Sequence, residues 1–201
     1  MKPIAGSKIV LTGGPCAGKT TITEMLSRAF QHSLVYVPES ASILFSGGFP
    51  RFDNPESKKA TQKAIYLVQK ELELSYAAQF PEQSLVLDRG TVDGAAYWPE
   101  GPESFFHALG TTLEAELARY DRVIYLESAG EKDYELHRKA NPNRREDWAE
   151  AKRLDRETFK LWSKHPSFVV IPNNRSFAHK VSEVLGVVAS SIPMENSDEK
   201  E

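Results

Sequence analysis

LTGGPCAGKT, residues 11–20, is the stretch that decides how this chain folds. Gly13, Gly18, Lys19 and Thr20 fall at the spacing G-x-x-x-x-G-K-[ST], the Walker A pattern. Glycines permit the positive φ angles and close backbone approach that wrapping a phosphate demands. Backbone N–H groups at the start of a helix then form an anion nest. The expected contact set is Gly13, Gly14, Pro15, Cys16, Ala17, Gly18, Lys19, Thr20 and Thr21. Lys19 would neutralise the β- and γ-phosphates, and the Thr20 hydroxyl would ligate Mg²⁺. Cys16 holds a variable position of the loop, as a small residue that fits or as a thiol activated by the helix N-terminus.

Outward from the loop, short apolar runs recur at residues 8–12, 34–37, 84–87, 122–126 and 168–171. Runs of this kind suit strands buried on both faces of a parallel sheet. Helical patterns occupy about 19–30, 57–79, 103–119, 144–164 and 176–190, so strands and helices alternate and an α/β domain over 1–192 is expected. Residues 46–56 (SGGFPRFDNPE) read as a long loop, and 137–146 (HRKANPNRRE) place an Asn-Pro-Asn turn in a basic cluster. Residues 193–201 are polar and acidic, the composition of a disordered tail.

The totals narrow the class. A net charge of −3 argues against a general nucleic-acid binder, which carries a basic excess. No apolar run approaches the roughly 18 residues that span a bilayer, so no membrane partner is expected. One cysteine excludes an intrachain disulfide and suits a reducing cytosol, which points to a cytoplasmic protein. The histidines show no metal-ligand spacing.

Residues 84–90, SLVLDRG, end a buried strand on an acid, which makes Asp88 the second Mg²⁺ candidate. Arg89 follows it, a guanidinium able to clamp a phosphate or orient a carboxylate. No N-K-x-D guanine-reading motif appears, and the length after the phosphate loop argues against the extra helical domain of large ring-forming ATPases. With LTGGPCAGKTT, VPESA, LDRGTVDGAAYWP and NPNRREDWAEAKRLD, the chain resembles the P-loop kinases of nucleosides and nucleotides. More narrowly it resembles small AAA-type ATPase/kinase domains likened to the nicotinamide-riboside kinase module of NAD metabolism. The resemblance spans most of residues 8–174. It implies a three-layer P-loop NTPase fold, a five-stranded parallel sheet in order 2-3-1-4-5 flanked by helices, and an arginine-bearing lid at about 131–150.

In the resembled kinases a carboxylate at the place of Glu39 accepts the proton of the acceptor hydroxyl; the alternative is a glutamate that only starts a helix. Asp93 either faces the acceptor or caps a helix. Gln69 and Glu73, four residues apart beside the stripe Ala64, Ile65, Val68 and Leu72, either read the acceptor or lie on a solvated face. Phe49, Arg51 and Phe52 either close over a flat or anionic acceptor or, more plainly, are loop residues whose aromatics pack onto their own domain. Arg138, Arg144 and Arg145, with Lys139, are the lid cations expected to stabilise the transferring phosphoryl group, with no one of them singled out. Asn173 and Asn174 follow the last strand, where the donor base would lie, and are equally ordinary turn residues. The expected activity is Mg²⁺-ATP-dependent phosphoryl transfer to a small hydroxyl- or phosphate-bearing metabolite, a nucleoside, nucleotide or relative. The alternative is a regulatory ATPase whose lid signals to a protein partner.

Overall fold

The computed structural model describes residues 6–14, 16–128, 130–131, 134–135, 146–174 and 176–192. Five strands, β1 (Lys8–Gly13), β2 (Leu34–Val37), β3 (Ser84–Asp88), β4 (Arg122–Leu126) and β5 (Phe168–Ile171), form one sheet in the order β2-β3-β1-β4-β5. Every pairing is parallel, and β1 at the centre aligns Leu11 with Asp88 on one side and with Ile124 on the other. The order is the one the resemblance implied.

The strands are apolar on both faces because both faces are covered. Side chains alternate along β1: Ile9 and Leu11 enter a cluster with Ile22, Leu26, Val184 and Val188, while Val10 enters one with Tyr66, Phe105, Leu154 and Trp162. The first face is closed by α1 (Lys19–Ala29) and by the last described helix, Phe177–Ala189. The second is closed by α3 (Pro55–Gln79), a 3₁₀ turn (Asp93–Tyr97), α4 (Pro102–Ala108) and the helix Trp148–Trp162, which follow α2 (Ser40–Ser46) in the chain.

One helix expected at 103–119 is two. α4 ends before Gly110, whose φ of 67° breaks the helical path. The Thr112 hydroxyl then accepts from Ala115 N–H at 3.2 Å and starts α5 (Leu113–Leu117). Later in the chain come α6 (Trp148–Trp162), capped by Asp147, and α7 (Phe177–Ala189), capped by Ser176. On α3 the pattern gave the wrong face. The stripe Ala64, Ile65, Val68 and Leu72 is half-buried, and the residues wholly withdrawn from solvent are Thr61, Tyr66, Gln69 and Glu73.

Candidate active site

All five strands run parallel, so their carboxyl ends open on one edge, and the loops that leave them meet there. The phosphate loop joins β1 to α1. Gly13 has φ 136°, and a Cβ there would strike the Leu126 carbonyl, so only glycine fits between β1 and the end of β4. Gly18 takes φ 88° immediately before α1, with Phe177 so close that a Cβ would sit 2.6 Å from its ring. Cys16 also carries a positive φ, 59°, as a tight loop requires.

The Lys19 ammonium lies back over this loop, donating to Gly13 O at 3.0 Å and Gly14 O at 2.9 Å. Burial, then the neighbouring Arg89 guanidinium, lowers its pKa to about 8, against the pull of Asp88, Glu39 and Asp93. Thr20 and Thr21 are exposed at the start of α1. Pro15 lies outside the described residues.

Across the sheet from the loop, Asp88 ends β3. Its Oδ2 accepts from the Tyr36 hydroxyl at 3.2 Å, and its Oδ1 is buried without a hydrogen bond. Burial raises this carboxyl above its usual range, and Glu39 raises it further. A buried carboxylate oxygen with no donor is what a Mg²⁺ ion or its water would satisfy, so the site fits that ion. Among the described residues no three acidic, histidine or cysteine side chains form a metal cage. A Mg²⁺ held by one carboxylate, the Thr20 hydroxyl and the substrate phosphates needs no such cage.

Arg89 turns the chain with φ 67°, a left-handed conformation that costs a bulky residue of order 1–3 kcal/mol and is held by its surroundings. Its Nε donates to Glu39 Oε1 at 2.7 Å and its Nη1 to Asp93 Oδ1 at 2.8 Å. Glu39 is the N-cap residue of α2, but its side chain makes no capping bond to the helix backbone; its second oxygen accepts from the Ser42 hydroxyl at 2.5 Å. Burial pushes the Glu39 carboxyl up, but Arg89, Ser42 and Lys19 together hold it below the usual carboxylate range. Lys19 after the phosphate loop, Glu39 between β2 and α2, and the adjacent Asp88 and Arg89 at the end of β3 therefore form one electrostatic unit.

Asp93 has both oxygens engaged within the protein. Oδ1 accepts from Thr12 at 2.7 Å and from Arg89, and Oδ2 from Gly90 N–H at 3.1 Å and the Trp162 indole at 3.0 Å. With four donors on two oxygens it is an anchor for Arg89. Glu73 is likewise engaged within the protein: Arg119 Nη2 lies 2.6 Å from Oε2, Lys8 3.5 Å from the same oxygen, and the Tyr120 hydroxyl 2.9 Å from Oε1. Gln69 is buried beside it, its amide 3.3 Å from Glu73 and 3.5 Å from the Arg89 carbonyl. Neither sits on the solvated face that was the other expectation.

Arg51 reaches across to the Glu146 carboxylate and lies over the Phe45 ring, 5.0 Å from its centroid. The loop of Phe49 to Phe52 is thus tied to the approach to α6. Asn173 follows β5 as expected, but its side-chain oxygen accepts from Lys180 at 3.0 Å; Asn174 is exposed beside it. Arg138, Lys139, Arg144 and Arg145 lie outside the described residues, as does the expected tail.

Three residues the sequence reading passed over belong to this assembly. Tyr36 holds Asp88, and Trp162 holds Asp93. Asp155 on α6 accepts from Ser128 at 2.5 Å and from the Tyr125 hydroxyl, and it lies so close to Gly14 that no Cβ would fit there. A cleft of about 410 Å³ opens on this side, lined by Tyr125, Ser128, Asp155, Arg156, Phe159 and others. The periodicity of α6 carried the signal for Trp162, but nothing local in the sequence marks Asp155.

Comparison with known proteins places these features in a wider set. A family model described as an AAA domain matches residues 8–180. Among solved structures, deoxyadenosine kinase from M. mycoides with bound dATP is similar at TM-score 0.65 and 15% identity, over 92% of this chain and 100% of that one. The same enzyme with the products dCMP and a flexible dCDP bound is similar at TM-score 0.64 and 15% identity, over 91% and 99%. No curated protein matches the chain in sequence.

Proposed function

We propose, from the premise that this chain belongs to the AAA-domain family over residues 8–180, that it is a Mg²⁺-ATP-dependent phosphotransferase for a small hydroxyl-bearing acceptor of the nucleoside class. The observation that carries this reading is the Glu39–Arg89 pair, 2.7 Å apart, beside the orphaned oxygen of Asp88 and the ammonium of Lys19. A carboxylate held ionised at that place can take the proton of an attacking hydroxyl, which a module that only binds ATP does not need. The likeness to a deoxyadenosine kinase supports the same class of reaction, though at 15% identity it carries the fold alone.

In this mechanism the loop amides and Lys19 hold the donor's terminal phosphates. Thr20 and Asp88 would hold Mg²⁺, which would supply charge neutralisation at the donor's phosphates. Glu39, kept as the carboxylate by Arg89, accepts the proton of the attacking hydroxyl as the new P–O bond forms and the bond from the γ-phosphorus to the leaving ADP oxygen breaks. Arg89 stays fixed through that transfer because Asp93 grips its other side. The proposed lid cations, Arg138, Arg144 and Arg145, would supply positive charge to the transferring phosphoryl group.

The test is ADP release by purified protein with Mg²⁺ and ATP across a panel of nucleosides, nucleotides and pyridine ribosides. Turnover that one acceptor class stimulates, and that Glu39→Gln abolishes, is the expected result. Slow hydrolysis indifferent to every acceptor and to Glu39 would move the assignment to a regulatory ATPase.

A further inference from the structure

Lys180 stands where the pattern of α7 calls for an apolar residue. It shares a face with Val184 and Val188 and is 3% exposed. An ammonium withdrawn from water needs compensating acceptors. It has three, all oxygens, each on a different loop of the site's edge: Glu127 O after β4 at 2.8 Å, Asn173 Oδ1 after β5 at 3.0 Å, and Ala17 O in the phosphate loop at 3.2 Å. Glu127 in turn accepts from Asn173 N–H at 3.1 Å, which closes the link between the two strand exits. One turn earlier on the same helix, Phe177 packs against Gly18.

The bond to Ala17 matters most. In a trans peptide the C=O of one residue and the N–H of the next point in opposite directions, and no peptide of the described chain is cis. Drawing the Ala17 carbonyl toward α7 therefore turns the Gly18 N–H away from α7, toward the concave side of the loop. We propose that Lys180 is a positioning residue of the donor site: by holding the Ala17–Gly18 peptide in one orientation it presents the Gly18 amide to the donor's phosphates. By the same ammonium it fixes the β4 and β5 exits at the side where the donor base would lie. Burial lowers the Lys180 pKa, and the three oxygen acceptors work against that loss by favouring the ammonium. The inference rests on the reading of residues 13–20 as a nucleotide-phosphate loop.

Calorimetric titration with inorganic tripolyphosphate and with the non-hydrolysable ATP analogue AMP-PNP, both with Mg²⁺, tests it on the full chain. Lys180→Met keeps the volume and removes the charge. Affinity for both ligands should fall roughly 10- to 100-fold, the worth of one hydrogen bond to a charged group. In wild-type protein the Gly18 amide should shift in ¹H–¹⁵N spectra when tripolyphosphate binds, and in Lys180→Met that response should be lost while the β1 and β4 amides stay in place. Lys180→Ala should regain affinity with millimolar ethylammonium but not with ethanol. Equal affinity in wild type and folded Lys180→Met overturns the inference alone. Failure of both variants to fold, even with ethylammonium, overturns it in favour of a lysine that serves only the core. A wild-type protein that binds neither ligand overturns the phosphate-loop reading and this inference with it.

Discussion

Two sets of carboxylates flank Arg89, and they are built to opposite rules. Glu73 and Glu116 lie beneath the turn that carries it. Glu116 accepts from Tyr66 at 2.7 Å, Thr111 at 2.8 Å and Thr91 at 2.7 Å, and Glu73 is taken by Gln69, Tyr120 and Arg119. Each oxygen there has a donor. Above the turn, Glu39 and Asp88 are gathered around two cations, and one Asp88 oxygen has no donor at all. Buried polar groups are normally satisfied, so the carboxylates of the lower set are completed within the protein and the upper set leaves an oxygen open. Asp93 stands between them: satisfied like the lower set, yet bonded to the cation of the upper one. Burial alone does not mark a functional acid; the oxygen left over does.

The comparison breaks most easily with paired substitutions. Glu39→Gln should lower acceptor-dependent turnover by roughly 10²–10⁴-fold, the usual reach of a general base, and leave Mg²⁺-ATP binding and the melting temperature nearly unchanged. Glu116→Gln should do the reverse. Its new NH₂ group meets hydroxyl donors instead of acceptors, which costs about 2–4 kcal/mol and lowers the melting temperature by about 5–15 °C, while the folded protein keeps its activity. Thermal scans and single-acceptor kinetics on the two variants check both halves. A stable Glu116→Gln protein with no turnover would erase the distinction.

Much of this was readable in the sequence, for identifiable reasons. The phosphate loop, the five strands and the Asp-Arg-Gly step are local patterns, and a local pattern carries its own geometry. The break at Gly110-Thr111-Thr112 was also a stop signal followed by a cap, hidden only because the apolar spacing on either side runs on in phase. What stayed hidden depends on residues far apart in the chain. Lys180 and Ala17 are 163 positions apart, and Asp93 and Trp162 are 69. Gln69 and Glu73 looked like polar neighbours of an apolar stripe. Their burial becomes intelligible only when Arg119, Tyr120 and the Arg89 carbonyl arrive from β3 and the turn before β4.

Asp88 gives the next contrast, smaller because charge and shape work against each other. Its raised pKa, due first to burial and then to Glu39, means that the folded protein resists its ionised form. Asp88→Asn should therefore leave the melting temperature unchanged or raise it by a few degrees, about 1 kcal/mol or less. Asp93→Asn, which places an amide NH₂ where four donors converge, should lower it. Mg²⁺-ATP should stabilise the wild type against heat and do little for Asp88→Asn. An Asp88→Asn protein that melts well below the wild type would assign this acid to the lower, architectural set.

The gentlest test concerns the cation that both upper carboxylates face. Lys19 is lowered to about 8 by burial and then by Arg89. It must be protonated to hold phosphate, so kcat/KM for ATP, which reports the free enzyme, should fall above about pH 8 by up to tenfold per unit. Bound phosphates favour the ammonium, so the matching limb in kcat should appear at higher pH or vanish. Lys19→Arg, always charged, should lose the limb even where its absolute rate is low. Arg89→Gln should move the limb upward, because the cation that depresses Lys19 is gone while Glu39, Asp88 and Asp93 remain. A limb that ignores both substitutions would mean that Lys19 does not titrate as part of this unit, and that the upper set is two separate ion pairs instead of one shell around the phosphates.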